Sequence, residues 1–333
     1  IAENPLYGYR LNLPEHISMS QLEILKADYY DNYAYQRHLT EFGGTPQLQY
    51  ISDRKYGERH IGNLHCKLLL TGSMVFTPES QTATHTCYYY DYNRNLVQTR
   101  STTHNGVTTV TKAKYNFTGQ PVKVKEEYGD SLSLQKEMKY DHIGRLTAET
   151  HIVNDKDTVR FSYGYDKLGK LQSLTRSANG GKPVTTRYEY NIRDWVTAIE
   201  SPLFSQKIHY TDGEGAPCYN GNISSMTWQT GNVPTDSKKN APKGMSTEKG
   251  YKFHYDGLSR LTDAVYGEGV SLSNNLNRFN EQITGYDKMG NILGLKRYGQ
   301  TTASAYGLID DLSLSYDGNQ LQTVNDNSLN SVY

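Results

Sequence analysis

The 333-residue sequence is short of cysteine, short of aliphatic side chains, and has no excess of charge of either sign. Lys and Arg total 35 against 35 Asp and Glu. Attraction to nucleic acid or to an anionic membrane needs a basic excess, so neither is expected as a partner. The three cysteines, Cys66, Cys87 and Cys218, are odd in number and too sparse for a disulfide framework. A single Cys66–Cys87 bridge is open to the chain, and free buried thiols are the simpler expectation. Leu, Ile, Val and Phe together make 66 residues, just under a fifth of the chain. That shortage signals disorder only when joined to high net charge, and here the net charge is zero. Apolar surface comes instead from 29 Tyr, against 7 Phe. No run approaches the roughly 20 apolar residues of a membrane-spanning helix; Leu68-Leu69-Leu70 has polar residues on both sides. Ile1-Ala2-Glu3-Asn4-Pro5 has neither a basic n-region nor an apolar h-region. The expectation is a fragment of a longer chain, with any signal peptide outside it.

What the sequence has in abundance is a repeat. Tyr90-Asp91, Tyr115-Asn116, Tyr140-Asp141, Tyr165-Asp166 and Tyr190-Asn191 stand 25 residues apart. The series resumes at Tyr255-Asp256, Tyr286-Asp287 and Tyr316-Asp317, and Tyr219-Asn220-Gly221-Asn222-Ile223 reads as a shortened copy. Tyr140-Asp141-His142-Ile143-Gly144-Arg145-Leu146 shows the unit best: aromatic, Asp, two unrestricted residues, Gly, polar, aliphatic. Arg94 and Asp194 stand where Gly is expected, so those two turns are expected to be built differently.

The pattern is that of a β-hairpin. Asp at the first position of a type I turn accepts backbone N–H bonds, and Gly three residues later takes the left-handed conformation of a G1 bulge. This geometry sets Tyr140 opposite Leu146, Tyr165 opposite Leu171 and Tyr255 opposite Leu261. It also sets Asp141 against Arg145, Asp166 against Lys170 and Asp256 against Arg260, each pair contributing about 0.2–1 kcal/mol. Aromatic or long apolar residues two apart, such as Tyr163 and Tyr165 or Met138 and Tyr140, share one strand face. One face is therefore expected to be dry and the other wetted. Turns are expected at Asp141–Gly144, Asp166–Gly169 and Asp287–Gly290. Valine at Gly144 is expected to cost more than valine at Gly180, in a loop.

Helical signal is weak. Ser20–Tyr30 fits a short helix or the lead into a strand, and Leu68–Phe76 reads as extended. The division expected is residues 1–85, a divergent β-rich leading segment with degenerate repeats, and residues 86–333, the hairpin array. A long surface loop is expected near 231–250, rich in Gly, Pro, Lys, Ser and Thr.

The chemistry-bearing motifs are thin. His65-Cys66 with His85 and Cys87 is the best metal-like set, yet neighbours on a strand point to opposite faces, so ordinary strand residues are expected. Asp212-Gly213-Glu214-Gly215 lacks the ligand ladder of a calcium loop and reads as a plain turn. The Asp of every repeat recurs in every unit, whereas an active site needs a unique constellation. No catalytic, cofactor-binding or metal-binding residue is assigned, no cofactor is expected, and the chain is not expected to be an enzyme. The tyrosines could stack on sugars, but packing of neighbouring hairpins accounts for all of them together.

The repeated Tyr-Asp-x-x-Gly-Arg-Leu resembles the YD repeat of the RHS (rearrangement hotspot) family, over roughly residues 86–333. That family includes bacterial polymorphic toxins, the C components of insecticidal toxin complexes and the animal teneurins. The wording at Lys288–Ile292 is similar to long surface proteins of Bacteroidetes. The resemblance implies an all-β fold: repeated antiparallel hairpins in a continuous spiralling sheet, part of a shell or open barrel. It implies a structural role on a secreted protein or at the bacterial cell surface, enclosing or displaying another part of its own chain, such as a C-terminal toxin. The alternative is an adhesion module that binds a carbohydrate or a cell-surface protein through exposed tyrosines and loops. Open strands at the ends would also favour edge-to-edge homo-oligomers. The family's self-cleaving core carries an Asp-Pro-x-Gly signature. Asp310-Asp311 is followed by Leu312, and Asp317-Gly318 lacks the Pro, so no cleavage residue carries over.

Overall fold

The computed structural model describes residues 25–36, 48–60, 66–77, 83–231 and 247–329. These are strands and turns with almost no helix. The chain divides into two compact units, one of residues 1–163 and 175–183, the other of residues 164–174 and 184–333.

In the first unit, β1 (Lys26–Tyr30), β2 (Leu70–Phe76), β3 (Ala83–Tyr90), β4 (Leu96–Thr102), β5 (Thr108–Tyr115), β6 (Pro121–Tyr128), β7 (Leu132–Tyr140), β8 (Leu146–Val153) and β9 (Asp157–Tyr165) follow in chain order. Each pairs antiparallel with the next. β10 (Leu171–Ala178) follows β9. The turn end of this hairpin, residues 164–174, counts with the second unit. That unit continues through β11 (Val184–Tyr190), β12 (Val196–Glu200), β13 (Phe204–His209), β14 (Ser225–Thr230), β15 (Lys249–Tyr255), β16 (Leu261–Glu268), β17 (Glu281–Tyr286), β18 (Ile292–Gln300), β19 (Tyr306–Asp317) and β20 (Gln320–Asp326). From β11 onward each strand again pairs antiparallel with its successor.

The hairpin register follows from the repeat. Tyr140 faces Leu146, Tyr190 faces Val196, Tyr255 faces Leu261 and Tyr286 faces Ile292. Gly144, Gly169 and Gly290 have φ of 88°, 88° and 91°, the left-handed conformation the bulge demands. Arg94 and Asp194 adopt φ of 68° and 66° and close the same turn, as does Ser259 at 63°. Those turns are therefore not built differently: the bulge geometry prevails and a side chain accepts the left-handed cost. A second irregularity was not legible in the motif. The residue after the aliphatic, such as Thr147 or Thr262, is left over on the outgoing strand. An extra residue there sharpens the local twist.

Several other expectations change. Lys26–Tyr30 is strand, so the extended alternative holds for the described part of Ser20–Tyr30, and residues 20–24 lie outside the described residues. The extended piece Leu68–Phe76 begins at Leu70, because Leu68 is a left-handed turn residue at φ 64°. Of the loop near 231–250, residues 232–246 lie outside the described residues, and β15 already starts at Lys249. Gly180 also has a left-handed φ of 72°, so valine would be strained there too. The division into one dry and one wet face is too sharp: every residue of β8 is half-buried, on both faces.

Full burial is concentrated elsewhere. In the first unit Ala27, Tyr29, Tyr35, Leu48, Met74, Cys87 and Tyr89 form a core. Tyr29 and Tyr35 stack at 4.2 Å, and the Tyr89 hydroxyl donates to the Leu48 carbonyl at 2.5 Å. In the second unit Gly250 faces Gly267 across β15 and β16, leaving a recess without side chains. Leu272, fully buried, fills it: a Cβ on Gly267 would lie 2.2 Å from the Leu272 carbonyl oxygen.

Candidate functional site: the repeat turns and a polar pocket

In the copies at Asp91, Asp141, Asp166, Asp256 and Asp287 the acid of the repeat is spent on its own turn. Asp141 Oδ1 accepts the N–H groups of Ile143 (3.1 Å) and Arg145 (2.9 Å), while Oδ2 meets the Arg145 guanidinium at 2.7 Å. Asp256 repeats this with Leu258 N, Arg260 N and the Arg260 guanidinium. Asn191 makes the same two backbone bonds, to Arg193 N and Trp195 N, which is why Asn substitutes for Asp. The Arg260 N–H and guanidinium hold the Asp256 carboxyl below its ordinary 3.8. Asn291 does so for Asp287. An acid held ionised and fully hydrogen-bonded is a turn clamp and a poor proton donor. One expected pair is redirected: Asp166 accepts Leu168 N and Lys170 N, but the Lys170 ammonium pairs with Asp194 of the following turn.

That redirection is part of a row of links between turns. Gln120 Nε2 donates to the Gly144 carbonyl at 2.8 Å, Arg193 to the Tyr219 carbonyl at 3.1 Å, and Asn220 Nδ2 to Ser259 Oγ at 2.9 Å. Side chains in these turns thus tie one turn to a neighbour.

The tyrosines carry a role that periodicity alone did not reveal. Tyr115 donates its hydroxyl to the Leu96 carbonyl (2.9 Å), Tyr140 to Pro121 (2.9 Å), Tyr190 to Leu171 (2.8 Å) and Tyr286 to Leu261 (2.6 Å). Each acceptor is the aliphatic position of an earlier copy. Tyr255 reaches Ile223, the aliphatic of the shortened copy, at 2.9 Å. The ring covers the hairpin beside it and the hydroxyl latches its backbone. Phe would do only the first, which accounts for the preponderance of Tyr over Phe. The constant spacing of 19 residues from acceptor to donor in Leu96–Tyr115 and Pro121–Tyr140 was the available signal. Burial raises the phenols of Tyr115, Tyr140 and Tyr286, and lifts Tyr90 to about 12.

The two residues of the motif taken as unrestricted are not so. In seven of the turns one is apolar and stands in solvent: Tyr92, Phe117 and Ile143 in the first unit, Leu168, Ile192, Leu258 and Met289 in the second, from 63% exposed at Ile143 to 99% at Ile192; the turns after Tyr219 and Tyr316 have only Gly, Asn or Gln there.

The cysteines are free. Cys66 and Cys87 are buried, and burial pushes the Cys87 thiol up. Tyr35 donates to Cys87 Sγ at 3.3 Å. His65 lies outside the described residues, and His85 is a buried residue of β3. Among the described residues no group of three or more His, Cys, Asp or Glu is placed to hold a metal. Asp212 contacts His209 Nδ1 at 3.3 Å beside Gly213, which is left-handed at φ 82°. Asp310 and Asp311 lie within β19, where Asp310 pairs with Arg297 at 2.8 Å.

One concavity of about 320 Å³ opens in the second unit beside β16, β17 and β18. Asp263, Asn277, Asn280, Glu281, Gln282 and Tyr298 line it. Gln282 Nε2 donates to Asp263 Oδ1 at 3.0 Å and Asn280 Nδ2 to Asn277 Oδ1 at 2.8 Å, which orients these planar groups.

No family model matches the chain, and no curated protein matches it. Solved structures do. The crystal structure of TcdB2–TccC3–Cdc42 superposes with a TM-score of 0.56 at 13% identity, over 82% of this chain and 14% of that one. The Tc holotoxin pore of Photorhabdus luminescens gives a TM-score of 0.44 at 13% identity, over 77% of this chain and 15% of that one. This chain therefore spans about a seventh of the length of the structures it is similar to. The first likeness is one of fold: an all-β array of antiparallel hairpins shared with part of the TcdB2–TccC3–Cdc42 structure.

Proposed function

We propose that this chain is a non-catalytic structural segment of an RHS-type shell, carried on a secreted or surface protein of bacterial type, that encloses or displays another segment of its own chain. The observation that carries the reading is that the repeat's chemistry is turned inward. The Asp or Asn of most repeat turns is bonded within its own turn, and the repeat's tyrosine hydroxyls at Tyr115, Tyr140, Tyr190, Tyr255 and Tyr286 donate to neighbouring backbone carbonyls. Such bonds build a wall and occupy the acids and hydroxyls that recur in the repeat. The YD-repeat resemblance and the fold shared with a Tc complex structure support the same reading.

The test has two arms. Screens of the purified chain on glycans, peptides and esters should give no turnover; turnover abolished by one Asp or His substitution that leaves the fold intact would overturn the reading in favour of an enzyme. In the natural protein that contains this chain, an enclosed segment should resist protease until the hairpins are unfolded by denaturant. Digestion of every other segment at once, with the hairpins intact, would remove the enclosing role.

A second reading, a carbohydrate-binding module, is favoured by the polar concavity. Planar amide and carboxylate groups such as Asn280, Gln282 and Glu281, beside the Tyr298 ring, suit the hydroxyls of a sugar. Titration with a panel of glycans, repeated on Glu281→Gln and Asn280→Ala, separates it from the shell. Binding lost in both variants favours the module.

A further inference from the structure

We propose that the concavity beside β16, β17 and β18 is a subsite for an amino sugar, a pyranose that carries a protonated amine. This deepens, and rests on, the carbohydrate-binding reading of that concavity.

The fold braces the opening. β16 and β17 pair at only two positions, Asp263 with Gln282 and Ala264 with Glu281. Beyond them the strands part, and Asn277 and Asn280 span the gap. The Tyr266 N–H donates to Asn280 Oδ1 at 2.8 Å, the Asn277 N–H to the Tyr266 carbonyl at 3.2 Å, and the Tyr298 N–H to the Asn280 carbonyl at 2.9 Å. Backbone groups at the opening are thereby paired, so it is a preformed recess and not a frayed ladder. The segment that closes it holds Leu272, Asn275 and Asn277 at left-handed φ of 49°, 48° and 65°. Strain of this kind persists where the surroundings enforce one shape, and ligand clamps are among such places.

Size and lining narrow the ligand. A volume of about 320 Å³ stands at the lower end of small-molecule sites, about 300–1,000 Å³, and suits one sugar ring. Tyr298 offers a flat wall, and the paired amides of Asn280 and Gln282 are already oriented for hydroxyls. The charge is one-sided. Asp263 and Glu281 line the recess, and no Lys, Arg or His does. Basic side chains beside it are committed elsewhere. Arg297 faces Glu281 across β17 and β18 but bonds Asp310 at 2.8 Å. Lys296 faces Gln282 and lies 4.0 Å from Asp311. A cationic group on the ligand would fill that role, because a charge-assisted hydrogen bond is stronger than the bond a hydroxyl makes. A metal ion would not: among the described residues no third His, Cys, Asp or Glu joins these two carboxylates.

Isothermal titration calorimetry at about pH 6, where an amine is protonated, tests this. The probes are the β-1,4-linked trimers of glucosamine, N-acetylglucosamine and glucose, which differ only in the group at carbon 2, and trilysine. The glucosamine trimer should bind roughly tenfold or more tighter than the glucose trimer. Glu281→Gln should erase that preference while the melting temperature holds, and trilysine should not match the glucosamine trimer. Equal affinity for all three sugars overturns the amine assignment and leaves the carbohydrate reading standing, whereas binding of none removes both. A preference that survives in Asp263→Asn/Glu281→Gln places the amine outside this recess and overturns the proposal. Trilysine binding as tightly as the glucosamine trimer also overturns it, since charge alone then explains the contact.

Discussion

The region around β1 to β4 and the run of hairpins from β6 to β11 use the same residue type to different ends. In the first, Tyr29, Tyr35 and Tyr89 are buried among Leu48, Met74 and Cys87. Arg59 lies over the Tyr33 ring at 4.3 Å. In the second, no residue from Lys114 to Thr197 is buried, and tyrosines such as Tyr140 and Tyr190 are half-buried, fixed by one hydroxyl each. Tyrosine serves as core in one place and as latch in the other. A sheet can therefore be held either by a packed interior or by many small, equal links along its length. The second way suits a structure extended by repetition, where each unit's stability depends on its neighbour.

The largest effect should fall on the packed region. Tyr89→Ala should cost about 3–5 kcal/mol, since it empties a fully buried aromatic site. Denaturant unfolding should show that loss, and a cost below about 1 kcal/mol would mean the core carries little of the first unit's stability.

Alkaline pH should separate the two uses next. Burial raises the Tyr33, Tyr35 and Tyr89 phenols well above their ordinary 10.0. A group whose folded value is raised contributes fully below its unfolded value and loses that contribution as pH climbs through the folded one. Stability should thus hold up to about pH 10 and fall above it. Fluorescence-monitored unfolding at stepped pH should show a falling midpoint, steeper than in a Tyr33→Phe/Tyr35→Phe variant.

A single hairpin turn is worth less. Gly144→Val forces a branched side chain into a φ of 88° and sets its Cβ 3.0 Å from Gln120 Nε2, at a cost of roughly 1–2 kcal/mol or more. Gly257 is the proper control, with no left-handed φ and nothing within 4 Å of a Cβ. Equal thermal shifts for valine at both positions would count against the bulge as the determinant.

The smallest effect is one latch. Tyr140→Phe should cost about 0.5–1.5 kcal/mol, the net worth of one hydrogen bond. The same change at Tyr128, an exposed tyrosine, should register close to zero. If the two variants melt together, the hydroxyl bonds to Pro121 and its equivalents are not what joins the hairpins.

Much of this was legible in the residues. A period of 25 with Asp and Gly three apart specifies a hairpin, because few residue types satisfy a left-handed φ or cap a type I turn. The facing of Tyr255 and Leu261 follows from counting. Other features were out of reach for stated reasons. Arg94 and Asp194 close ordinary bulges because the surrounding ladder outweighs a local preference of about 1–2 kcal/mol. The apolar tips were in plain view as Ile143, Leu168, Leu258 and Met289, but exposure is a tertiary property and the motif treats those positions as unrestricted.

By itself the sequence determined where the hairpin turns fall and which aliphatic faces the tyrosine in most copies, since these depend on residues within one hairpin. The tertiary structure decided what lies between hairpins. It chose the carbonyl each tyrosine reaches, sent Lys170 to Asp194 in place of Asp166, and set Leu272 into the recess of Gly250 and Gly267. It also gathered Asp263, Asn280 and Tyr298 around one concavity. The physical reason is distance along the chain. Local torsional and hydrogen-bond preferences act within a few residues and are written in composition and spacing, while a contact across 19 or more residues exists only once twist and register have brought its partners together.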